Sequence, residues 1–126
     1  MRSRPGIYRV PGEPRWPTTV AGSRWHAAHV EPADDLPQAY DEIARALALP
    51  GWFGANLDAL WDCLTDLRTP TALLWRRWDA LENAHPLDSG RLLEVLRDRT
   101  AQAPDFAVVL GGSAAGTGSR SSASSR

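Results

Sequence analysis

Three short apolar stretches constrain this chain most: "RWHAAHV" (24–30), "TALLW" (71–75) and "FAVVL" (106–110). Each is too short for a free-standing helix, and segments of helical periodicity separate them. Parallel strands need crossover connections, and strands apolar on both sides belong in a sheet covered by helices. The pattern therefore predicts an α/β fold with a small parallel sheet.

The intervening segments supply the helices. Residues 37–47 place Tyr40, Ile43 and Leu47 at helical spacing, with Pro37 suited to a first turn and Pro50-Gly51 as a stop. Asn56 is a good N-cap for a second helix, whose Leu57, Leu60, Trp61 and Leu64 follow the i, i+3, i+4, i+7 pattern of a buried stripe. A turn or two of helix is expected around Trp78 and Leu81. A longer helix follows, capped by Asp88 or Ser89 and turning Leu92, Leu93 and Leu96 inward. A single domain over 23–110 results.

The two ends differ in kind. Residues 1–22 hold Pro5, Pro11, Pro14 and Pro17 with four arginines, and read as a Pro/Arg-rich extension in which Ile7–Val10 is a candidate short edge strand. Residues 111–126, "GGSAAGTGSRSSASSR", have nothing bulky to bury and read as a disordered Gly/Ser-rich tail. The single cysteine cannot form an internal disulfide, no apolar run approaches the ~20 residues of a membrane span, and no signal peptide is evident. A cytoplasmic protein without membrane contact is expected.

The net charge of −1 hides an asymmetry: residues 31–66 contain eight acids against Arg45 alone, giving −7, so the remainder carries +6. A field with that direction favours a basic partner at the acidic part. Within "GWFGANLDALWDCLTD" (51–66), Asp58, Asp62 and Asp66 fall four apart along one helix face, with no Lys, Arg or His between residues 46 and 67. Like charges at that spacing destabilise a helix by about 0.2–0.5 kcal/mol per pair. Asp58 is eased by its place near the helix N-terminus, but Asp62 and Asp66 are not. The plain alternative is that the row is a solvated face.

Catalysis finds little support. His26 and His29, three apart in a strand, point to opposite faces; Cys63 has no cysteine partner and apolar neighbours; His85 beside Pro86 reads as a loop residue. No phosphate-cradling glycine loop and no serine–base motif are present. Asp58 and Asp62 alone make a poor Mg²⁺ site, so no metal, no cofactor and no enzymatic activity are expected. Nucleic-acid binding through 52–66 is electrostatically wrong, because aspartates repel the phosphate backbone. With the sign reversed, carboxylates beside flat rings resemble a nucleic acid and would suit a cationic cleft on another protein.

The stretch "ALALPGWFGANLDALWDCLTDL" resembles the central segment of the barstar family, intracellular inhibitors of secreted ribonucleases of the barnase type. The match runs through Pro50, Trp52, Phe53, Gly54, Asn56, Leu57, Asp58, Ala59, Leu60, Trp61 and Asp62, and continues more loosely through "TALLWRRWDAL", "LLEVLRDR" and "PDFAVVL". The resemblance implies a three-stranded parallel sheet with about four helices. It also implies that the second helix and the loop before it block a ribonuclease active site. Asp62 would stand in for a substrate phosphate, and Asp58 would pair with other basic groups of the cleft. Trp52 would pack on a catalytic histidine, and Trp61 would sit at the rim. Gly54, Asn56 and Thr65 would line the contact, and Asp98 would be an outlying carboxylate.

Departures from the family pattern are Ala55 for an acid, Leu67 for an aromatic, Trp52 for the commoner tyrosine and Asp98 for glutamate. They point to a cognate ribonuclease other than barnase. The expectation is an immunity protein of antitoxin type, monomeric when free, that inhibits a basic ribonuclease. The alternative is a barstar-like binding module with a non-nuclease partner.

Overall fold

A computed structural model describes residues 4–16, 25–49 and 56–112. The elements in chain order are β1 (Gly6–Val10), β2 (His26–Val30), α1 (Leu36–Leu47), α2 (Leu57–Thr65), β3 (Thr71–Trp75), α3 (Trp78–Ala84), α4 (Pro86–Arg99) and β4 (Phe106–Gly111). The four strands form one sheet in the order β1-β4-β3-β2, with every pairing parallel. The α/β class and parallel sheet agree with the apolar stretches.

The sheet has four strands, not three. The additional strand is β1, which pairs with β4 from Gly6↔Ala107 to Val10↔Gly111. Its sequence signal is weak because an edge strand need not bury alternate side chains, and Tyr8 and Arg9 stay exposed. Pro11, lacking a donor N–H, follows directly on its last residue.

The inner strands show why their sequences are apolar throughout. Every residue of β3 and β4 is buried. Side chains alternate across a strand, so the two faces feed two cores. Leu73, Trp75, Phe106, Val108 and Leu110 pack with Ile43, Leu60, Leu64, Leu92 and Leu96 on the helical side. Ala72, Leu74, Ala107 and Val109 pack with Trp16 on the other. Trp16 is 8% exposed, and its ring lies 5.7 Å from Tyr8 and 4.9 Å from Trp25. The segment after β1 thus closes the face the helices leave open.

Gly111 shows how tight that closure is. A Cβ there would meet the Gly12 carbonyl oxygen and Pro14 Cδ at 2.7 Å each. Ion pairs tie β1 and the segment after it to the domain: Arg9 of β1 meets Glu82 at 3.0 Å, and Glu13 meets at 3.0 Å the Arg76 guanidinium, which is also paired with Glu31 at 2.6 Å. These pairs are largely exposed and add little, so the apolar contacts of Trp16 dominate.

Helix ends follow local chemistry. Asp35 caps α1 by accepting from the Gln38 N–H at 2.9 Å, so the helix begins at Leu36, one residue before the predicted Pro37. The longer helix α4 begins at Pro86 with no side-chain cap, earlier than the predicted Asp88 or Ser89. Proline at the first position has no N–H to satisfy, which makes a cap less necessary. Ser89 is instead buried and donates to the Pro86 carbonyl at 3.1 Å. Among the described residues no helix is long and apolar enough to cross a membrane.

Candidate functional site: the acidic face of the second helix

Helix α2 is short, and its placement rests on its two ends and one buried side. At the start, Asn56 takes an extended conformation and its side-chain oxygen accepts from the Ala59 N–H at 2.8 Å. Leu60, Cys63 and Leu64 are buried, and α2 packs against α4. Leu57 packs against the same core, whereas Asp58, Asp62 and Thr65 are exposed and Trp61 is partly buried. Asp66 is the C-cap (φ −84°, ψ −7°), so the acidic row runs one residue past the helix.

The energies explain why the helix tolerates its charges. Each carboxylate pair costs about 0.2–0.5 kcal/mol. The Asn56 cap contributes about 1 kcal/mol, and Asp58 in the first turn gains about 0.3–1 kcal/mol from the helix dipole. The start of the helix therefore outweighs the repulsion. Asp66 at the other end has the unfavourable sign, and α2 has no basic residue in its last turn.

Among the described residues, none of the ion pairs involves Asp58, Asp62, Asp66 or Asp98. Other acids of the 31–66 segment are engaged: Glu31 with Arg76, and Glu42 with Arg45 at 2.6 Å. Asp34, Asp35 and Asp41 around α1 are likewise in no ion pair among the described residues, so what sets α2 apart is the regular row of Asp58, Asp62 and Asp66 rather than a larger uncompensated charge. Thr65 donates its hydroxyl proton to the Asp62 carbonyl at 2.9 Å, which leaves its oxygen able to accept from outside. Asp98 lies exposed on α4, the helix against which α2 packs.

The other candidates have plainer roles. Burial pushes the Cys63 thiol above its ordinary 9.0, and the Asp66 and Asp62 carboxylates push it further. A neutral buried thiol is a packing group and a poor nucleophile. His26 and His29 are exposed on the edge strand β2. Among the described residues, no three His, Cys, Asp or Glu side chains gather to hold a metal ion. Trp52 and Gly54, which the sequence predicts for the contact, lie outside the described residues.

One residue escaped the sequence reading. Arg99, at the end of α4, is fully buried. Its Nε donates to the Leu64 carbonyl of α2 at 2.8 Å and its Nη1 to the Gln102 carbonyl at 3.0 Å. The guanidinium also lies 5.4 Å from the centre of the Phe106 ring. Burial lowers its pKa, and Asp105 opposes the shift. The signal was present: Leu92, Leu96 and Arg99 fall at i, i+4 and i+7 on the inward stripe, where an apolar residue is the rule.

Comparison with known proteins agrees with this architecture. The profile of the family described as Barstar (barnase inhibitor) matches residues 25–111, more than half of the chain. The protein named "Putative ribonuclease inhibitor YrdF" from Bacillus subtilis (strain 168) is 27% identical over 79 residues, covering 61% of this chain and 87% of the relative. Strand β1 and Trp16 lie ahead of the matched residues. The chain belongs to the barstar family.

Proposed function

We propose that this protein inhibits a cognate basic ribonuclease by filling its catalytic cleft with the acidic face of α2 and the aromatic stretch of sequence before it. The observation that carries the reading is the pair Asp58 and Asp62: exposed, one turn apart, and in no ion pair among the described residues. Family membership supports it, as does the likeness to a relative named as a ribonuclease inhibitor.

On this reading Asp62 takes the position of a scissile phosphate among the enzyme's cationic groups. Asp58 meets basic groups nearby, and Trp52 packs against the catalytic centre. Trp61 lies at the rim, Gly54, Asn56 and Thr65 complete the contact, and Asp98 reaches an outlying base. Carboxylate–guanidinium hydrogen bonds are strong because both partners are charged, and desolvation at the centre strengthens them further. Opposite fields speed encounter, and the buried pairs slow release. The chain turns nothing over, and one protein occupies one enzyme.

The test is direct. The full chain is mixed with basic microbial ribonucleases, including one encoded beside its own gene, and RNA cleavage is recorded. Stoichiometric loss of cleavage with at least one of them is expected. Undiminished cleavage by all of them overturns the reading. Capture of a non-nuclease partner would then favour a binding module that has kept the fold and changed its target.

A further inference from the structure

Helix α2 is too short to stand alone, since isolated helices below about 12–15 residues are marginal even in favourable sequences. It also carries like charges and ends on an acid without a base of its own in the last turn. Its start is held locally by Asn56. Its end is held by a different helix. The Leu64 carbonyl, in the last turn, receives the Nε–H of Arg99 from α4.

That contact is unusual in its charge balance. Among the described residues, none of the hydrogen bonds from the buried Arg99 guanidinium goes to a carboxylate; both acceptors are main-chain carbonyls, and Nη2 finds no partner there. An unpaired buried cation is costly. What faces it is the C-terminal end of α2, where aligned peptide dipoles leave partial negative charge, while the Asp105 carboxylate acts on it from beyond ion-pair distance. The guanidinium supplies from α4 the cation that α2 lacks. The residue before it, Asp98, is exposed on the same helix, so anchor and outlying carboxylate are consecutive in the chain.

We propose that Arg99 is a positioning residue for the acidic face: by gripping the Leu64 carbonyl it fixes the last turn of α2, and so sets Asp62 and Thr65 relative to Asp98. The link to affinity rests on the inhibitory reading above, whereas the anchoring of α2 does not. Arg99 touches no partner itself. It acts through the backbone of the helix that does.

The test compares the full chain with Arg99→Met and Arg99→Lys. Cys63, the single cysteine of the chain and buried in α2, reports local opening through its rate of modification by an aromatic disulfide under native conditions. Amide exchange of Leu60–Leu64 is followed beside that of Ala39–Ile43 in α1 as a control. Losing a hydrogen bond from a charged donor should raise thiol modification and α2 exchange in Arg99→Met by about tenfold over any change in α1. Arg99→Lys, which keeps the charge without the planar fork, should rise less. With a ribonuclease that the natural chain inhibits, dissociation from Arg99→Met should be about tenfold faster. Adding Asp62→Ala to that variant should cost less than it does alone.

Wild-type exchange of α2 in the variants overturns the proposal, and so does equal loosening of α1 and α2, which would make Arg99 an ordinary core residue. Selective loosening of α2 with unchanged affinity overturns the positioning role. Selective loosening in a chain that inhibits no ribonuclease sinks the inhibitory reading and leaves the anchor standing. Should Arg99→Met fail to fold, Arg99→Lys alone decides: selective loosening of α2 supports the anchor, and wild-type exchange overturns it.

Discussion

Asn56 and Ala59 open the acidic helix: the side-chain oxygen of the first accepts the main-chain N–H of the second at 2.8 Å. That bond orients the first turn of α2, and with it Asp58. The same asparagine is proposed to line the partner contact, so fold and recognition draw on one side chain.

Replacing Asn56 should separate the two roles. Asn56→Ala should lower stability by about 1 kcal/mol, read from urea denaturation, while Asn56→Ser or Asn56→Asp should hold nearly the original value because each can accept the same N–H. A loss of affinity in Asn56→Ser without loss of stability would isolate the contact role.

The carboxylates should differ sharply in what they contribute. Removing one partner of a desolvated ion pair costs about 3–5 kcal/mol, so Asp62→Ala should weaken inhibition of the cognate ribonuclease by about two orders of magnitude or more. Asp66→Asn should leave inhibition nearly unchanged and stabilise the free chain by about 0.3–1 kcal/mol, because it removes negative charge from a helix C-terminus. Titrated inhibition and thermal melts measure the two effects. Association should slow as salt is raised, with a smaller change in dissociation.

Gly111→Ala should loosen the N-terminal segment. The added methyl carbon meets the Gly12 carbonyl oxygen and Pro14 Cδ at 2.7 Å, one of them backbone, so the segment must shift. A loss of about 1–3 kcal/mol is expected in denaturation, as for other overpacked sites. Gly12→Ala, with nothing within 4 Å of its added carbon, is the control and should change little.

Acid should weaken the tie between β1 and α3. The Arg9 guanidinium holds the Glu82 carboxyl below its ordinary 4.5, and partial burial opposes it. A lowered folded value means that the contribution is present in full above pH 4.5 and is lost as pH falls through the folded value. Arg9→Gln should therefore reduce the slope of stability against pH below 4.5 and leave the slope at neutral pH unchanged, as followed by denaturation across that window. An identical acid limb in the variant would show that the pair contributes nothing.

The inner strands, the second helix and its cap were legible because their signals are local. "TALLW" and "FAVVL" are apolar on both faces and became the two central strands. The Asn56 cap and the Leu60–Leu64 stripe follow from hydrogen-bond chemistry and helical spacing. The acidic row could be counted directly. The start of α4 is not legible in this way: Asp88 and Ser89 have the chemistry of caps, whereas Pro86 begins the helix without one.

The sequence alone therefore determined the α/β class, the parallel sheet, the buried stripe of α2 and the excess of acid on its other side. Each of these depends on residues close together in the chain. Tertiary structure decided the rest. It paired the candidate edge strand β1 with β4, about a hundred residues away, set Trp16 over the open face of the sheet, and joined the inward-facing Arg99 to the end of α2. An edge strand, a covering indole and a buried cation acquire their roles from neighbours remote in sequence. No periodicity within their own segments could have revealed those neighbours.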